Sequence, residues 1–142
     1  MNRNCCSKPT DNGSNPYVIN MEQATIQNQN FRTAVWTGCY LQMTLMCIPA
    51  YEEIGLEIHA DTDQFIQIEQ GKAMVKMGRC KNQFDFQQNM CEGDAVFIPA
   101  GTWHNIINTE NSPLKIFSIY APPNHLKGTI HQTKADAEKE EY

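Results

Sequence analysis

An all-β fold, a sandwich or barrel, is what the sequence predicts, and three observations carry it. Six short runs are rich in strand formers: "YLQMTLMCI" at 40–48, "QFIQIEQ" at 64–70, "KAMVKMG" at 72–78, "DAVFIP" at 94–99, "HNIIN" at 104–108 and "LKIFSIYA" at 114–121. Pro49, Gly55, Gly71, Gly78, Gly93, Pro99, Gly101 and Pro113 punctuate them, as turn residues do between strands. Inside the runs, apolar residues recur two apart, the period at which an extended chain returns to the same face. A chain of 142 residues fits one domain, placed here at residues 17–124, between a flexible tail at 1–16 and a C-terminal extension or tail at 125–142.

Residues 1–16 combine Asn, Ser, Pro, Gly and Lys with almost no apolar content, too little to offset the entropy of ordering them. "NMEQATIQNQNF" reads as a short helix or an irregular strand. Residues 17–35, with Tyr17, Val18, Ile19, Phe31 and Val35, offer an apolar segment able to pair with a second copy, so a homodimer is expected. Cys47, inside an apolar run, reads as a small core residue.

In "GLEIHADTDQFIQIEQG", Glu57 and His59 are two apart and face the same way in an extended chain. Asp61, Thr62 and Asp63 are turn formers, and a bend there that changes parity brings Gln64 to the same side. "EQGKA" is a tight hairpin in which Gly71 supplies a positive φ. Lys72 and Lys76 lie opposite the apolar row Ala73, Val75 and Met77 and so point to solvent. The first half of "FDFQQNMCEGDAVFIPAG" is too polar and turn-rich for a helix. Pro99, Ala100 and Gly101 end one strand, and His104, Ile106 and Asn108 share a face of the next, with Trp103 on the other side, where barrel packing outweighs ligand stacking. Pro122 and Pro123 turn the chain away from the sheet, and "TKADAEKEEY" suits an exposed terminal helix. The last segment has two readings: a lid bringing His131 or Lys134 to a substrate, or a solvated tail with His125 and His131 on the surface.

Composition narrows the function. The formal net charge of −5, without a Lys/Arg block, argues against nucleic-acid and membrane-surface binding. No signal-like apolar run opens the chain, so a cytoplasmic location is expected. Cysteines at 5, 6, 39, 47, 80 and 91 form no C-x-x-C pair and read as reduced thiols. The partner expected is a small molecule.

Two stretches then resemble the motifs of the cupins. Gly93, Pro99, Gly101, His104 and Asn108 match the second motif position by position. The first motif fits in part: Tyr51 stands at its opening glycine, Glu57 at its first histidine, His59 at its second, Gln64 at its glutamate and Gly71 at its closing glycine. The chain resembles small single-domain cupins labelled mannose-6-phosphate isomerase-like, which implies a double-stranded β-helix, or jelly-roll barrel, with short helical or irregular termini. The resemblance also implies Glu57, His59, Gln64 and His104 as ligands of a divalent metal, whether zinc, manganese, iron, nickel or cobalt. Glu57 supplies the negative charge that the glutamate position lacks, and Gln64 offers an amide oxygen or an outer hydrogen bond. Without metal, Glu57 and His59 read as a partly buried ion pair.

On this basis the expected function is metal-dependent isomerisation or epimerisation of a sugar or other polyhydroxy carbonyl compound, with Glu57 or a neighbouring acid such as Asp61 moving a proton. A non-haem Fe(II) dioxygenase and a non-catalytic, metabolite-sensing cupin are the alternatives. A phosphosugar needs a cationic clamp, and Arg32 and Arg79, the candidates, have no clear inward placement in the sequence.

Overall fold

The structure, a computed structural model, describes residues 10–140. Its strands are β1 (Arg32–Thr37), β2 (Gln42–Ile48), β3 (Asp63–Gln70), β4 (Ala73–Gly78), β5 (Phe86–Met90), β6 (Ala95–Ile98), β7 (Trp103–Asn108), β8 (Leu114–Ala121) and β9 (Ile130–His131). Two short helices, α1 (Met21–Gln27) and α2 (Lys134–Lys139), lie at the ends. The strands form a six-stranded sheet, ordered β6-β3-β8-β2-β1-β9, and a three-stranded sheet, ordered β5-β4-β7, all antiparallel. This is an all-β fold of the kind that the strand pattern predicts, arranged as the jelly roll that the motif resemblance implies.

Alternation decides which side chains go between the sheets. Met46 and Ile48 of β2, Ile66 and Ile68 of β3, Val75 and Met77 of β4, Ile106 of β7, and Leu114 and Ile116 of β8 form one buried cluster. The opposite face of the larger sheet is also covered. Val35, Leu45 and Phe117 are buried there with Ile19, Met21 and Ala24 packed against them, so α1 closes that side. Asn20 caps α1 by accepting from the Gln23 amide.

Several expectations change here. "RTAVWT" is a strand lying between β2 and β9, and Phe31 and Val35 are buried within the chain, so that stretch is not a free edge for a second copy. "FQQNM" is a strand as well: paired with β4 at the edge of the smaller sheet, it exposes all but Met90, which removes the apolar signal from its sequence. Cys47 is half-buried rather than in the core, because Met46 and Ile48 take the inner positions around it. The described part of the expected N-terminal tail is held against β1: the Asn12 amide donates to the Val35 carbonyl, Trp36 Nε1 to Asn15 O, and Thr37 Oγ1 to Asp11. Cys5 and Cys6 lie outside the described residues. No helix among the described residues is long and apolar enough to cross a membrane.

Candidate metal centre

The inward rows of the strands change character along their length. In β2 the row runs Gln42, Thr44, Met46, Ile48, and its neighbour β8 runs Tyr120, Ser118, Ile116, Leu114 in register with it. β3 contributes Gln64 opposite Tyr120, ahead of Ile66 and Ile68, and β7 contributes His104 ahead of Ile106. One end of the interior is therefore polar and the other apolar. Gln42, Thr44, Gln64, His104, Ser118 and Tyr120 are all buried at the polar end, where each needs a partner in place of water.

Glu57 reaches this end by pairing with β7. The segment at 52–57 runs antiparallel to β7, with Ile54 N donating to Ile106 O, and Glu57 and His104 exchange both backbone hydrogen bonds at 2.9 Å. Residues directly opposite in such a pair project to the same face. His59 follows two residues later, its carbonyl accepting from the Gly101 amide at 2.8 Å, and the chain turns at Ala60 and Asp61 before entering β3. Tyr51, at the opening glycine position of the motif, has φ of 60°, so this side chain accepts the left-handed backbone that glycine favours.

The resulting geometry brings three donors together. His59 Nε2 lies 3.4 Å and His104 Nε2 3.7 Å from the same oxygen, Glu57 Oε1, and a donor atom from each residue lies within 4.8 Å of the others. Donors about 2.1 Å from one ion stand roughly 3.0 to 3.4 Å apart, so the cluster is close to the spacing of a shared cation and wider than a good N–H···O bond. The tautomer of His104 strengthens the point. Its Nδ1 is 2.9 Å from the Thr102 carbonyl, which can only accept, so the proton sits on Nδ1 and Nε2 presents a lone pair. A lone pair facing a carboxylate is repulsive unless a cation lies between them or the ring is protonated. Burial pushes the His104 pKa down despite the Thr102 carbonyl and Glu57, which disfavours protonation. For Glu57, burial opposes ionisation, yet contact with His59 and the charge of Arg32 outweigh it and hold the carboxyl below its ordinary value. His59 Nε2, His104 Nε2 and Gln64 Oε1 are all buried without a hydrogen-bond partner. The residues present thus fit a divalent cation.

The other expected site residues are placed as follows. Gln64 is buried beside Ser118, its Nε2 3.4 Å from the hydroxyl, with the orphaned amide oxygen as its offering. Asp61 is a correction: it is exposed on the turn before β3 and is not among the residues lining the cleft, because Asp63 alone of that acidic pair is tied down, accepting from the Ala100 amide. Asn108 is structural, donating to the carbonyls of Ile48, Pro49 and Ser112 and accepting from the Glu110 amide. Trp103 lies on the outer side, half-buried, with Lys81 Nζ 5.5 Å above its ring, rather than packing into the barrel.

A cleft of about 660 Å³ opens beside the cluster, lined by Arg32, Glu57, His59, His125, His131 and Lys134 among others. Two surface assignments fail here. His131 is 1% exposed, drawn inward by pairing of β9 with β1, and His125 is half-buried, with Nε2 3.4 Å from the Tyr120 hydroxyl. Burial and the charge of Arg32 lower the His125 pKa to about 3. Gln42 pins this stretch, its amide accepting from the Asn124 and His125 N–H groups and donating to the His125 carbonyl. Arg32, given no inward placement by the sequence, is 4% exposed and lines the cleft. Its signal was a lone charge in the otherwise uncharged strand "RTAVWT".

Comparison with known proteins gives consistent results. Residues 44–120 match the family model described as "Cupin domain". The chain is 58% identical over 127 residues to the uncharacterized protein YrkC of Bacillus subtilis, covering 89% of this chain and 68% of that one. It is 40% identical over 120 residues to an uncharacterized protein of Acanthamoeba polyphaga mimivirus, covering 84% and 73%. The crystal structure of BH2720 from Bacillus halodurans superposes with a TM-score of 0.91 at 51% identity, covering 92% of this chain and 99% of that one. KdgF from Halomonas sp. shares the fold, with a TM-score of 0.57 at 19% identity over 66% of this chain and 80% of that one.

Proposed function

The chain belongs to the cupin domain family, and from that premise we propose a metal-dependent protein acting on a small molecule held in the cleft beside Glu57, His59 and His104. The observation that carries this reading is the convergence of two imidazole Nε2 atoms and one carboxylate oxygen, with both nitrogens buried and unpartnered. Fold alone would not carry it, since one architecture hosts many chemistries.

Within that reading, the activity we favour is isomerisation or epimerisation of a hydroxy carbonyl compound such as a sugar. A divalent ion bound here supplies Lewis-acid polarisation of a carbonyl or hydroxyl oxygen. Glu57, ionised at neutral pH, accepts a proton from a carbon next to the carbonyl through its second carboxylate oxygen and returns it to the neighbouring carbon on the same face. Thr102 keeps the His104 proton on Nδ1 and so fixes the ring's orientation. Burial raises the Tyr120 pKa, so its hydroxyl stays protonated, 3.4 Å from Nε2 of His125 on the cleft wall.

A second reading is favoured by the donor set itself. Two histidines and one carboxylate with open positions are also the set of non-haem Fe(II) oxygenases. One experiment addresses both. Protein purified without added metal is assayed for bound elements, then screened for turnover of aldoses, ketoses and uronates, with oxygen uptake followed after anaerobic Fe(II) loading. Isomer formation without oxygen uptake supports the isomerase. Oxygen uptake dependent on a co-substrate supports the oxygenase, and a protein that takes up no divalent metal overturns both.

A further inference from the structure

Arg32 opens β1 and lines the same cleft as Glu57 and His59. A guanidinium carries a permanent charge and five N–H donors, so its partners can be accounted for one nitrogen at a time. Nη1 lies 3.2 Å from His131 Nδ1, Nη2 lies 4.0 Å from the thioether of Met46, and Nε has no partner. His131 is committed to that contact as an acceptor, because its Nε2 lies 2.9 Å from a carboxylate oxygen of Glu140 and must carry the proton. Among the described residues no carboxylate oxygen comes within 4.0 Å of the guanidinium. The guanidinium also lies over the Phe31 ring, 5.4 Å from its centroid, yet the edge formed by Nε and Nη2 meets no oxygen acceptor, although it is the edge whose two parallel N–H groups match an oxyanion.

A second cation faces the same space. Lys134, the first residue of α2, lines the cleft, and its Nζ sits 4.0 Å from where a Cβ on Gly55 would stand. It too has no carboxylate within 4.0 Å among the described residues. The acids in the lining are otherwise engaged or exposed: Glu57 faces the imidazoles, Glu140 holds His131, and Glu138 is exposed. A buried charge without a close counter-ion is unfavourable until an anion completes it.

We infer that the cleft takes a small organic oxyanion, a carboxylate or a phosphate ester, bound bidentately on the Nε–Nη2 edge of Arg32 with Lys134 as the second cation. The rest of the molecule then extends toward Glu57, His59 and His104. This rests on reading the cleft as a small-molecule site and names the class of substrate. It also assigns an inward role to Arg32, which the sequence left without a clear placement.

Calorimetric titration of the full chain with D-glucuronate, D-glucose 6-phosphate, pyruvate and neutral D-glucose tests the inference, with zinc content measured on every sample. At least one anionic probe is expected to bind about tenfold or more tightly than glucose, the gain of one charge-assisted pair. Preference for glucuronate or pyruvate identifies a carboxylate, and preference for glucose 6-phosphate identifies a phosphate ester. Arg32→Met should abolish the preference, and Lys134→Ala, on a half-exposed helix position that leaves folding intact, should reduce it several-fold, both at unchanged zinc content. No binding of any anionic probe at millimolar concentration, or a preference untouched by Lys134→Ala and by a folded Arg32→Met, overturns the inference. Anion binding that depends on Arg32 in a protein that takes up no zinc leaves the inference standing and removes the metal reading instead.

Discussion

Gln64 and Glu57 divide between them what one acidic ligand would do. Glu57 stands among the two imidazoles with its carboxyl held below the ordinary value, while Gln64 offers an orphaned amide oxygen from β3 of the larger sheet. Glu57→Gln removes the negative charge from the cluster and is expected to weaken divalent binding strongly, whereas Gln64→Glu adds a carboxylate and is expected to tighten it. A chelator-competition titration reads both, and effects that are equal and negligible would take both residues out of the coordination sphere. Protonation gives an independent expectation. His104 and His125 have pKa values lowered by burial, so each contributes stability that is fully present above the unfolded value of 6.5 and is lost as pH falls toward the folded value, about 3 for His125. Glu57, also lowered, adds the same sign of dependence below its unfolded value of 4.5. Thermal midpoints of metal-free protein should therefore fall steadily from pH 7 to pH 4, and a flat profile would contradict buried neutral imidazoles. The histidines and Glu57 were legible in the sequence because spacing and motif both pointed to them. Arg32 was not, because its one local signal, a lone charge in "RTAVWT", does not say which face of the strand it occupies.

Elements were legible to the extent that their two faces differ. β2, β3, β4, β6, β7 and β8 each bury an apolar row, and the runs read from the sequence cover them, short by one residue at the start of β3 and of β7. β1 is buried over its first four residues, with residues 11–15 bonded to its second half, so alternation is lost, and β5 is exposed over most of its length, so no row forms. The chain's return between β7 and β8 depends on Asn108, which ties three carbonyls and one amide from separate segments. Asn108→Ala leaves those buried groups unpaired and is expected to destabilise the fold by about 3 kcal/mol, measured by urea unfolding. A loss below about 0.5 kcal/mol would mean that water replaces the side chain freely. The C-terminal segment is neither of the alternatives in pure form. β9 is part of the sheet, and α2, started by a capping box between Thr133 and Asp136, supplies Lys134 and Ala137 to the cleft wall.

The molecule as a whole is a barrel whose polar end collects its histidines, its buried arginine and its last helix, while the apolar end holds the chain together. That division follows from inward rows that are polar at one end and apolar at the other, in register across β2, β3 and β8. Assembly is a separate matter. With Phe31 and Val35 buried internally, the homodimer expected from the N-terminal segment would have to use Tyr17 and Val18, which remain exposed, and light scattering at micromolar concentration should then report twice the chain mass; a monomer would refute it. The claim on which the rest depends is that Glu57, His59 and His104 hold a divalent ion, and zinc affinity measured by competition with a chelator, for the wild type beside His104→Ala, tests it most directly. One ion per chain is expected in the wild type, with an affinity about a hundredfold or more weaker in a variant that still folds. Equal zinc affinity in the two proteins would contradict it.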